Sequence, residues 1–276
     1  MRTPFLVLAV ISVLSNGLSG SALVSGLDSG PPPVDGHPRI SVPHALEQPR
    51  ITADSQDPAW NSAAEIGSLI PCYGSGQPST EPVSPTKIRL LWDSSHLYLR
   101  FLCAGRPPIN SQSGRDADLY RGDVVEVFLS RFADARMYFE IQVSPKNDVL
   151  DLRFNLPGSP DFQSDGVLSD NYSLHHLKMD RAWNFSKLKT ASRVSDGQWI
   201  VDLAIPADEL AGGLTHPELA PGWVRANFLR YEWVDVSQKP ALLPSNWSVV
   251  RHGCPHISPG SLGWLRLVQS TEPPSP

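Results

Sequence analysis

Residues 87–103, KIRLLWDSSHLYLRFLC, determine the fold class of this 276-residue chain. Apolar side chains occupy every second position on both sides of the polar segment Asp93–His96. The two apolar rows are Ile88, Leu90 and Trp92, then Leu97, Leu99, Phe101 and Cys103. A period of two is typical of a β-strand with one buried face, and Asp and Ser favour turns. The stretch therefore predicts a β-hairpin.

Similar alternation recurs along the chain between Gly, Pro, Asn and Asp turns. It predicts further strands at residues 124–129, 138–143, 149–154, 187–194, 199–205, 224–233 and 263–268. Helix is scarce, and Ala207–Leu210 after Pro206 predicts a single helical turn. The pattern indicates an all-β fold, namely a single antiparallel β-sandwich of the jelly-roll or immunoglobulin-like kind with very little helix.

The two ends of the chain differ in composition from this strand-rich middle. Arg2, an apolar run over residues 5–14 and small residues through Ala22 predict a signal peptide over residues 1–22. A transmembrane anchor would need roughly 20 apolar residues, about twice this run. Residues 23–49 are rich in Pro, Gly and Ser and are expected to be a linker before a folded domain at 50–269 and a disordered tail at 270–276. The protein is therefore expected to be secreted, periplasmic or at the cell surface.

Composition limits the classes of partner. Hydrophobic residues make up 41% and charged residues 18%, so the chain can form a packed core. The net charge is −5 and the sequence contains no basic block. Binding to a phosphate backbone or an anionic membrane needs clustered Lys and Arg, so neither nucleic acid nor, after signal removal, a membrane is an expected partner.

Three cysteines allow one disulfide in an oxidising compartment: Cys72, Cys103 and Cys254. Cys72–Cys103 is the preferred pair, because it would tie a Gly- and Pro-rich loop to the end of a strong strand. Three buried free thiols are the open alternative. No Cys-x-x-Cys or His cluster has the spacing of a zinc site.

The predicted strands also carry a polar face. If Phe139, Ile141 and Val143 face the core, Tyr138, Glu140 and Gln142 share the opposite face. The same alternation places Glu126 and, in the hairpin, Tyr98 and Arg100 away from the core. Aromatic rings pack on sugar C–H faces and carboxylates accept hydrogen bonds from hydroxyls, so this surface suits a carbohydrate. The alternative is a solvated face with ordinary pairs, such as Arg100 with Glu126 or Glu140.

Four stretches together resemble family 9 carbohydrate-binding modules. They are ITADSQDPAW at 51–60, LLWDSSHLYL at 90–99, RDADLYRGDVVEVFL at 115–129 and the closing segment 247–267. The resemblance spans nearly the whole predicted domain. It implies non-catalytic binding of mono- or oligosaccharides or polysaccharide ends, a role in polysaccharide catabolism and association with glycoside hydrolases.

The resemblance also implies a sugar site. In the family two aromatic rings sandwich a terminal sugar, and Tyr120 and His256 stand at the corresponding positions, with Glu126 six residues after Tyr120. Tyr138 and Glu140 complete the expected site. The chain departs from the family at His256, where a Trp is expected, and at Glu140, where an Arg is expected. Family members also hold structural calcium, so a calcium ion stays open although no ligands are assigned; no other cofactor and no catalytic residue is expected.

The sequence leaves two other functions open. A glycoside hydrolase needs two carboxylates about 5–10 Å apart, and Asp116, Asp118, Asp123, Glu126 and Glu140 are the acidic residues available. A haem-binding electron-transfer sandwich needs axial Met or His ligands. Outside the signal only Met137 and Met179 could serve as methionine ligands.

Overall fold

A computed structural model describes residues 36–74, 77–78, 82–110, 112–158, 160–163, 166–169, 176–195, 197–236, 239–250 and 255–269. The strands, in chain order, are β1 (Arg39–Pro43), β2 (Ala64–Ile66), β3 (Ile70–Pro71), β4 (Tyr73–Gly74), β5 (Gln77–Pro78), β6 (Thr86–Trp92), β7 (His96–Ala104), β8 (Val124–Ser130), β9 (Met137–Val143), β10 (Val149–Asn155), β11 (Lys178–Asp180), β12 (Lys189–Ser195), β13 (Gln198–Pro206), β14 (Gly222–Val236), β15 (Lys239–Asn246) and β16 (Gly263–Val268). Helix α1 spans Ala207–Leu210, and 3-10 helices span Pro58–Ser62, Leu119–Arg121, Pro255–Ile257 and Pro259–Ser261. The predicted strands and the helical turn after Pro206 are confirmed, with shifts of one to three residues at most ends.

The described strands form two main sheets. A nine-stranded sheet runs β1-β16-β14-β8-β9-β10-β11, with β15 paired to β14 and β3 to β15. A five-stranded sheet runs β12-β13-β7-β6-β2, and β4 and β5 form a separate two-stranded ladder. Neighbours pair antiparallel apart from β1 and β16, which are parallel. The expected all-β sandwich is therefore confirmed.

The apolar rows predicted from the alternation form the core between the sheets. From the hairpin it takes Leu90 and Phe101, from β8 Val127, and from β9 Phe139 and Ile141, each at most 1% exposed. Removing such side chains from water contributes about 1.5–3 kcal/mol each, which is why the period-two pattern fixes the inward face of every strand.

The outward faces are also covered, and this corrects the expectation that they meet solvent. On the five-stranded sheet, Trp60 and Tyr98 lie in a small buried cluster. On the nine-stranded sheet, Tyr138, Phe154 and Leu229 lie in a second, larger one. Loops between the strands supply the covering side chains, so part of each outer face is packed, whereas Glu65, Lys87 and Arg89 on the five-stranded sheet reach solvent.

The linker expected over residues 23–49 is wrong from Arg39 onward. Strand β1 pairs with β16, and Val42 is fully buried. Trp92 donates from its indole N–H to the carbonyl oxygens of Val42 at 3.0 Å and Val268 at 3.1 Å. The folded unit therefore begins before position 50. The predicted signal peptide and the predicted tail lie outside the described residues.

The expected Cys72–Cys103 disulfide is also wrong, because both side chains are buried free thiols. Burial raises the pKa of Cys103 to about 12, and burial together with the charge of Glu126 raises that of Cys72 further. Cys254 lies outside the described residues. Among those residues no helix is long and apolar enough to cross a bilayer.

Candidate functional site

Strands β8 and β9 bring four polar groups to the outer face of the nine-stranded sheet. Glu126 on β8 is the direct partner of Gln142 on β9, and Tyr138 and Glu140 precede Gln142 at alternate positions. His256, on the 3-10 helix Pro255–Ile257, contacts them from above. We call these five residues the acidic cluster.

Direct contacts tie the acidic cluster together. The side-chain amide of Gln142 donates from Nε2 to Oε1 of Glu140 at 2.6 Å. Nε2 of His256 lies 3.3 Å from Oε2 of Glu140, and its Nδ1 lies 3.0 Å from the hydroxyl of Tyr138. His256 therefore joins the carboxylate to the phenol.

Aromatic rings wall one side of the acidic cluster. Tyr138 stacks on Phe154 with ring centroids 4.8 Å apart and planes at 8°. His256 lies 4.4 Å from Phe154 and 5.6 Å from Phe128. The side chain of His256 is 22% exposed, whereas Glu126, Tyr138, Glu140 and Gln142 are all at least 97% buried. The ring of His256 is therefore the part of the cluster most open to solvent.

The electrostatics of the acidic cluster are unusual for a buried site. Burial, and secondly the negative charge of Glu140, raise the pKa of Glu126 well above its ordinary value. Among the described residues no hydrogen-bond donor contributes to that shift. Oε1 of Gln142 is buried without a hydrogen-bond partner, and Oε2 of Glu140 has the contact of 3.3 Å with His256. Two carboxyl groups and an amide thus lie together in a packed layer, where a carboxyl group that keeps its proton is itself a donor.

Tyr120 lies at a different part of this face. Its carbonyl oxygen accepts a hydrogen bond of 3.0 Å from the indole N–H of Trp233, and the guanidinium of Arg121 lies 5.8 Å from its ring. Trp233 follows Leu229 by four residues on β14, and Leu229 is the direct partner of Glu126. At about 3.3 Å per residue, Trp233 is about 13 Å along the strand from the Glu126 row.

The structure therefore brings Glu126, Tyr138, Glu140 and His256 together and places Tyr120 beside Trp233, toward one end of the same face. Sequence analysis did not assign Gln142 or Trp233 to the site. The alternation in MYFEIQV signals Gln142. Leu229, Tyr231 and Trp233 alternate in the same way, which predicts that they share a face. The pairing of Leu229 with Glu126 shows that this face is the one that carries the acidic cluster.

Tyr98 and Arg100 do not belong to this face, because β7 lies in the five-stranded sheet. Arg100 donates to Asp202 from Nε at 2.7 Å and from Nη2 at 2.8 Å. The alternative in which Arg100 pairs with Glu126 or Glu140 is therefore wrong. The hairpin and the site lie on opposite outer sides of the sandwich.

The described residues bring together no group of three or more His, Cys, Asp and Glu side chains that could hold a metal ion. They therefore give no residue set for the calcium that the resemblance left open. For haem, the two candidate methionines lie on opposite faces of one sheet. Met179 pairs with Phe154, which pairs with Tyr138, whereas Met137 is the neighbour of Tyr138 and packs against the core between the sheets. They could not ligate one iron together.

The fold is a β-sandwich of two main sheets, and solved structures of a similar fold match it. A candidate carbohydrate-binding protein from Bacteroides uniformis superposes with a TM-score of 0.58 at 14% identity, covering 84% of this chain and 100% of that one. A family 9 carbohydrate-binding module from Caldicellulosiruptor kristjanssonii in complex with cellotriose gives 0.52 at 18% identity, covering 87% and 100%. The same module with glucose gives 0.52 at 19%, with the same coverage.

No protein-family model and no curated protein matches the sequence. At these identities the structural likeness establishes the fold, and the expected family 9 fold is confirmed. The ligand must be argued from the residues of this chain.

Proposed function

We propose that this protein binds carbohydrate without cleaving it, through the outer face of the nine-stranded sheet. The observation that carries the proposal is the ring of His256, which is 22% exposed, lies 3.3 Å from Oε2 of Glu140 and packs against Tyr138 and Phe154. Sugar hydroxyls need planar acceptors, and sugar C–H faces need aromatic surface. The half-buried Tyr120 and Trp233 extend the aromatic surface along the same face.

The arrangement favours binding over hydrolysis. Asp123 accepts hydrogen bonds from the guanidinium of Arg106 at 2.9 Å and the backbone N–H of Trp233 at 2.7 Å, so it is held in a structural role. Asp118 is paired with Arg181 at 2.9 Å. Glu126 and Glu140 remain as a pair, but both lie in a packed layer. A glycosidase needs its two carboxyl groups on either side of a scissile bond.

The biological setting that we propose is an exported protein that serves polysaccharide catabolism, alongside glycoside hydrolases. The apolar run of residues 5–14 and the small residues that follow it support export. The cellotriose held by the structurally similar module supports an oligosaccharide or a polysaccharide end as the ligand.

Calorimetric titration with a panel of mono- and oligosaccharides tests the binding. His256→Ala removes the exposed ring of the acidic cluster and should weaken binding by about 1–3 kcal/mol, the usual loss for one anchoring side chain. Tyr120→Ala should weaken the binding of longer sugars by a similar amount. His96→Ala, on the five-stranded sheet, is the matched control and should bind as the unaltered protein does.

Two results would contradict the proposal. One is the absence of heat with every sugar at millimolar concentration. The other is binding that persists unchanged in both His256→Ala and Tyr120→Ala.

A further inference from the structure

His256 is the part of the acidic cluster that a ligand can reach, yet both of its ring nitrogens already have partners. Nε2 lies 3.3 Å from Oε2 of Glu140, and Nδ1 lies 3.0 Å from the hydroxyl of Tyr138. Both partner residues are at least 97% buried, so the two nitrogens point into the protein. The part of the ring that reaches solvent therefore presents carbon atoms.

The contact with Glu140 decides which nitrogen of His256 carries the proton. A nitrogen that faces a carboxylate oxygen presents an N–H group rather than a lone pair, so Nε2 is protonated. In the neutral ring the lone pair is then on Nδ1, and the hydroxyl of Tyr138 donates to it. Burial and the charge of Glu140 raise the pKa of Glu126, so Glu126 keeps a proton more readily and Glu140 is the carboxylate that faces the ring.

The two partners of His256 are themselves held in place. The amide of Gln142 donates to Oε1 of Glu140 at 2.6 Å, which restrains the carboxyl group. Tyr138 stacks on Phe154 with ring planes at 8°, and the ring of Phe154 also lies 4.4 Å from that of His256. Strand β9 carries both Tyr138 and Glu140, so the sheet sets the positions of the two groups that contact the imidazole. A side chain on a short 3-10 helix is thus oriented by a strand.

We propose that Glu140 and Tyr138 are positioning residues, which engage both nitrogens of His256 so that its ring contacts a ligand through carbon atoms alone. The ligand in this inference rests on the proposed function, whereas the orientation of the ring rests on the geometry of the acidic cluster. A ring that is already fixed loses little rotamer freedom when a sugar packs on it, so less of the contact energy is offset by ordering. His256 then packs on the C–H surface of a sugar and gives no hydrogen bond to a hydroxyl.

Nitrogen NMR of the full chain, with isotope-labelled histidine, tests the positioning without any ligand. The chain contains eight histidines, and the signals missing from His256→Phe are those of His256. At about pH 8, where an ordinary histidine is neutral, we expect a protonated Nε2 and an unprotonated Nδ1. Tyr138→Phe removes the donor to Nδ1 and should shift its signal. Tyr98→Phe, which removes a buried hydroxyl on the five-stranded sheet, is the matched control and should leave the signal unchanged.

Calorimetric titration with glucose, cellobiose and cellotriose tests the contact with the ligand. His256→Phe keeps a ring without nitrogens, whereas His256→Gln keeps hydrogen-bonding groups without a ring. The Phe variant should therefore bind about tenfold more tightly than the Gln variant. Tyr138→Phe should weaken binding by about three- to tenfold when His256 is present. In the His256→Phe protein the same change should have no effect, because the hydroxyl acts through the histidine.

Two substitutions test Glu140 in the same titration. Glu140→Leu leaves Nε2 without an acceptor and should weaken binding. Glu140→Gln keeps a side-chain oxygen at this position and should restore part of the affinity. The nitrogen signals of the unaltered protein need no substitution at Glu140 or Tyr138, so the positioning is tested even if these variants fail to fold.

The outcomes are distinct. A neutral ring with its proton on Nδ1, or one that averages between both tautomers, would overturn the positioning and leave carbohydrate binding standing. Binding by His256→Gln that is as tight as binding by His256→Phe would overturn the contact through carbon atoms. If the unaltered protein bound none of the sugars, the ligand contact inferred here and the proposed function would both be overturned, while the nitrogen signals would still decide the positioning.

Discussion

The two outer faces of the sandwich both bury charged side chains, but they treat them differently. On the five-stranded sheet, Asp202 accepts two hydrogen bonds from Arg100 and one of 2.8 Å from the backbone N–H of Ala53. The guanidinium of Arg100 lies 4.7 Å from the centre of the Trp60 ring. Both carboxylate oxygens of Asp202 and the guanidinium of Arg100 therefore have partners within the fold.

On the nine-stranded sheet, the acidic cluster is equally buried but lacks this balance. Glu126 and Glu140 lie on adjacent strands, burial and the charge of Glu140 raise the pKa of Glu126, and among the described residues His256 contacts Glu140. Oε1 of Gln142 has no hydrogen-bond partner, and Oε2 of Glu140 has the contact with His256.

The difference shows that burial of a charge does not by itself mark a functional site. A buried charge whose hydrogen bonds are complete stabilises the local structure, as at Asp202. A buried carboxyl group beside a second one holds its proton more tightly and loses stability as the pH rises, as at Glu126. Three experiments on stability and reactivity test this contrast.

The largest effect is expected on the face whose hydrogen bonds are complete. Asp202→Ala leaves Arg100 buried without its carboxylate and should lower the free energy of unfolding by about 3–5 kcal/mol. Urea denaturation followed by fluorescence measures this value. Asp202→Asn keeps an acceptor and should cost less. If Asp202→Ala changed stability by less than about 1 kcal/mol, the ion pair would not hold that face together.

Glu126→Gln should have the opposite sign. The folded-state pKa of Glu126 lies above the ordinary 4.5, so the folded state keeps a proton that the unfolded chain releases. Stability therefore falls as the pH rises from the ordinary value toward the raised one. Removing the charge should stabilise the protein by about 1–3 kcal/mol at neutral pH and flatten this pH dependence. Urea midpoints measured from pH 5 to about 8 test both effects.

Glu65→Gln is the control for that experiment, because Glu65 is exposed and paired with Lys87 at 2.8 Å. It should leave the pH dependence in this window unchanged. If the urea midpoint of Glu126→Gln changed with pH as that of the unaltered protein does, the Glu126 carboxyl would not be the group whose raised pKa lowers stability.

The smallest effect concerns the two buried thiols. Cys72 lies in the buried apolar layer on the outer side of the nine-stranded sheet, whereas Cys103 lies in the core between the sheets. Because both thiols are buried with raised pKa values, neither should react with iodoacetamide in the native protein. In urea below the midpoint, we expect the outer layer that contains Cys72 to open before the core that contains Cys103, so Cys72 should be alkylated first. Site-resolved mass spectrometry gives the order, and the reverse order would place the weaker layer elsewhere.

Much of the fold could be predicted from the sequence. Strands such as β8, β9 and β13 carry alternating apolar residues, so their position and their inward face can be predicted from a short stretch of sequence. Strands β1 and β15 were missed because Pro43, Pro240 and Pro244 mask the pattern. Strand β1 forms through its pairing with β16, more than two hundred residues away in the chain, which local periodicity does not report.

The same limit applies to the candidate site. The spacing of Tyr138, Glu140 and Gln142 predicts a shared face, and the register confirms that Glu126 joins them. Arg100 is near Glu126 in the chain, so local alternation suggests the same face for both. Its strand, β7, belongs to the five-stranded sheet instead.

The sequence by itself determined which side chains of each strand share a face, because a strand places successive residues on opposite sides. Only the tertiary structure decided which sheet each strand joins and what covers its outer face. The backbone of Ala53 reaches Asp202 from 149 positions away, and His256 reaches Tyr138 from 118. Contacts between such distant segments complete the hydrogen bonds of Asp202 on the five-stranded sheet. On the nine-stranded sheet they bring His256 to Tyr138 and Glu140.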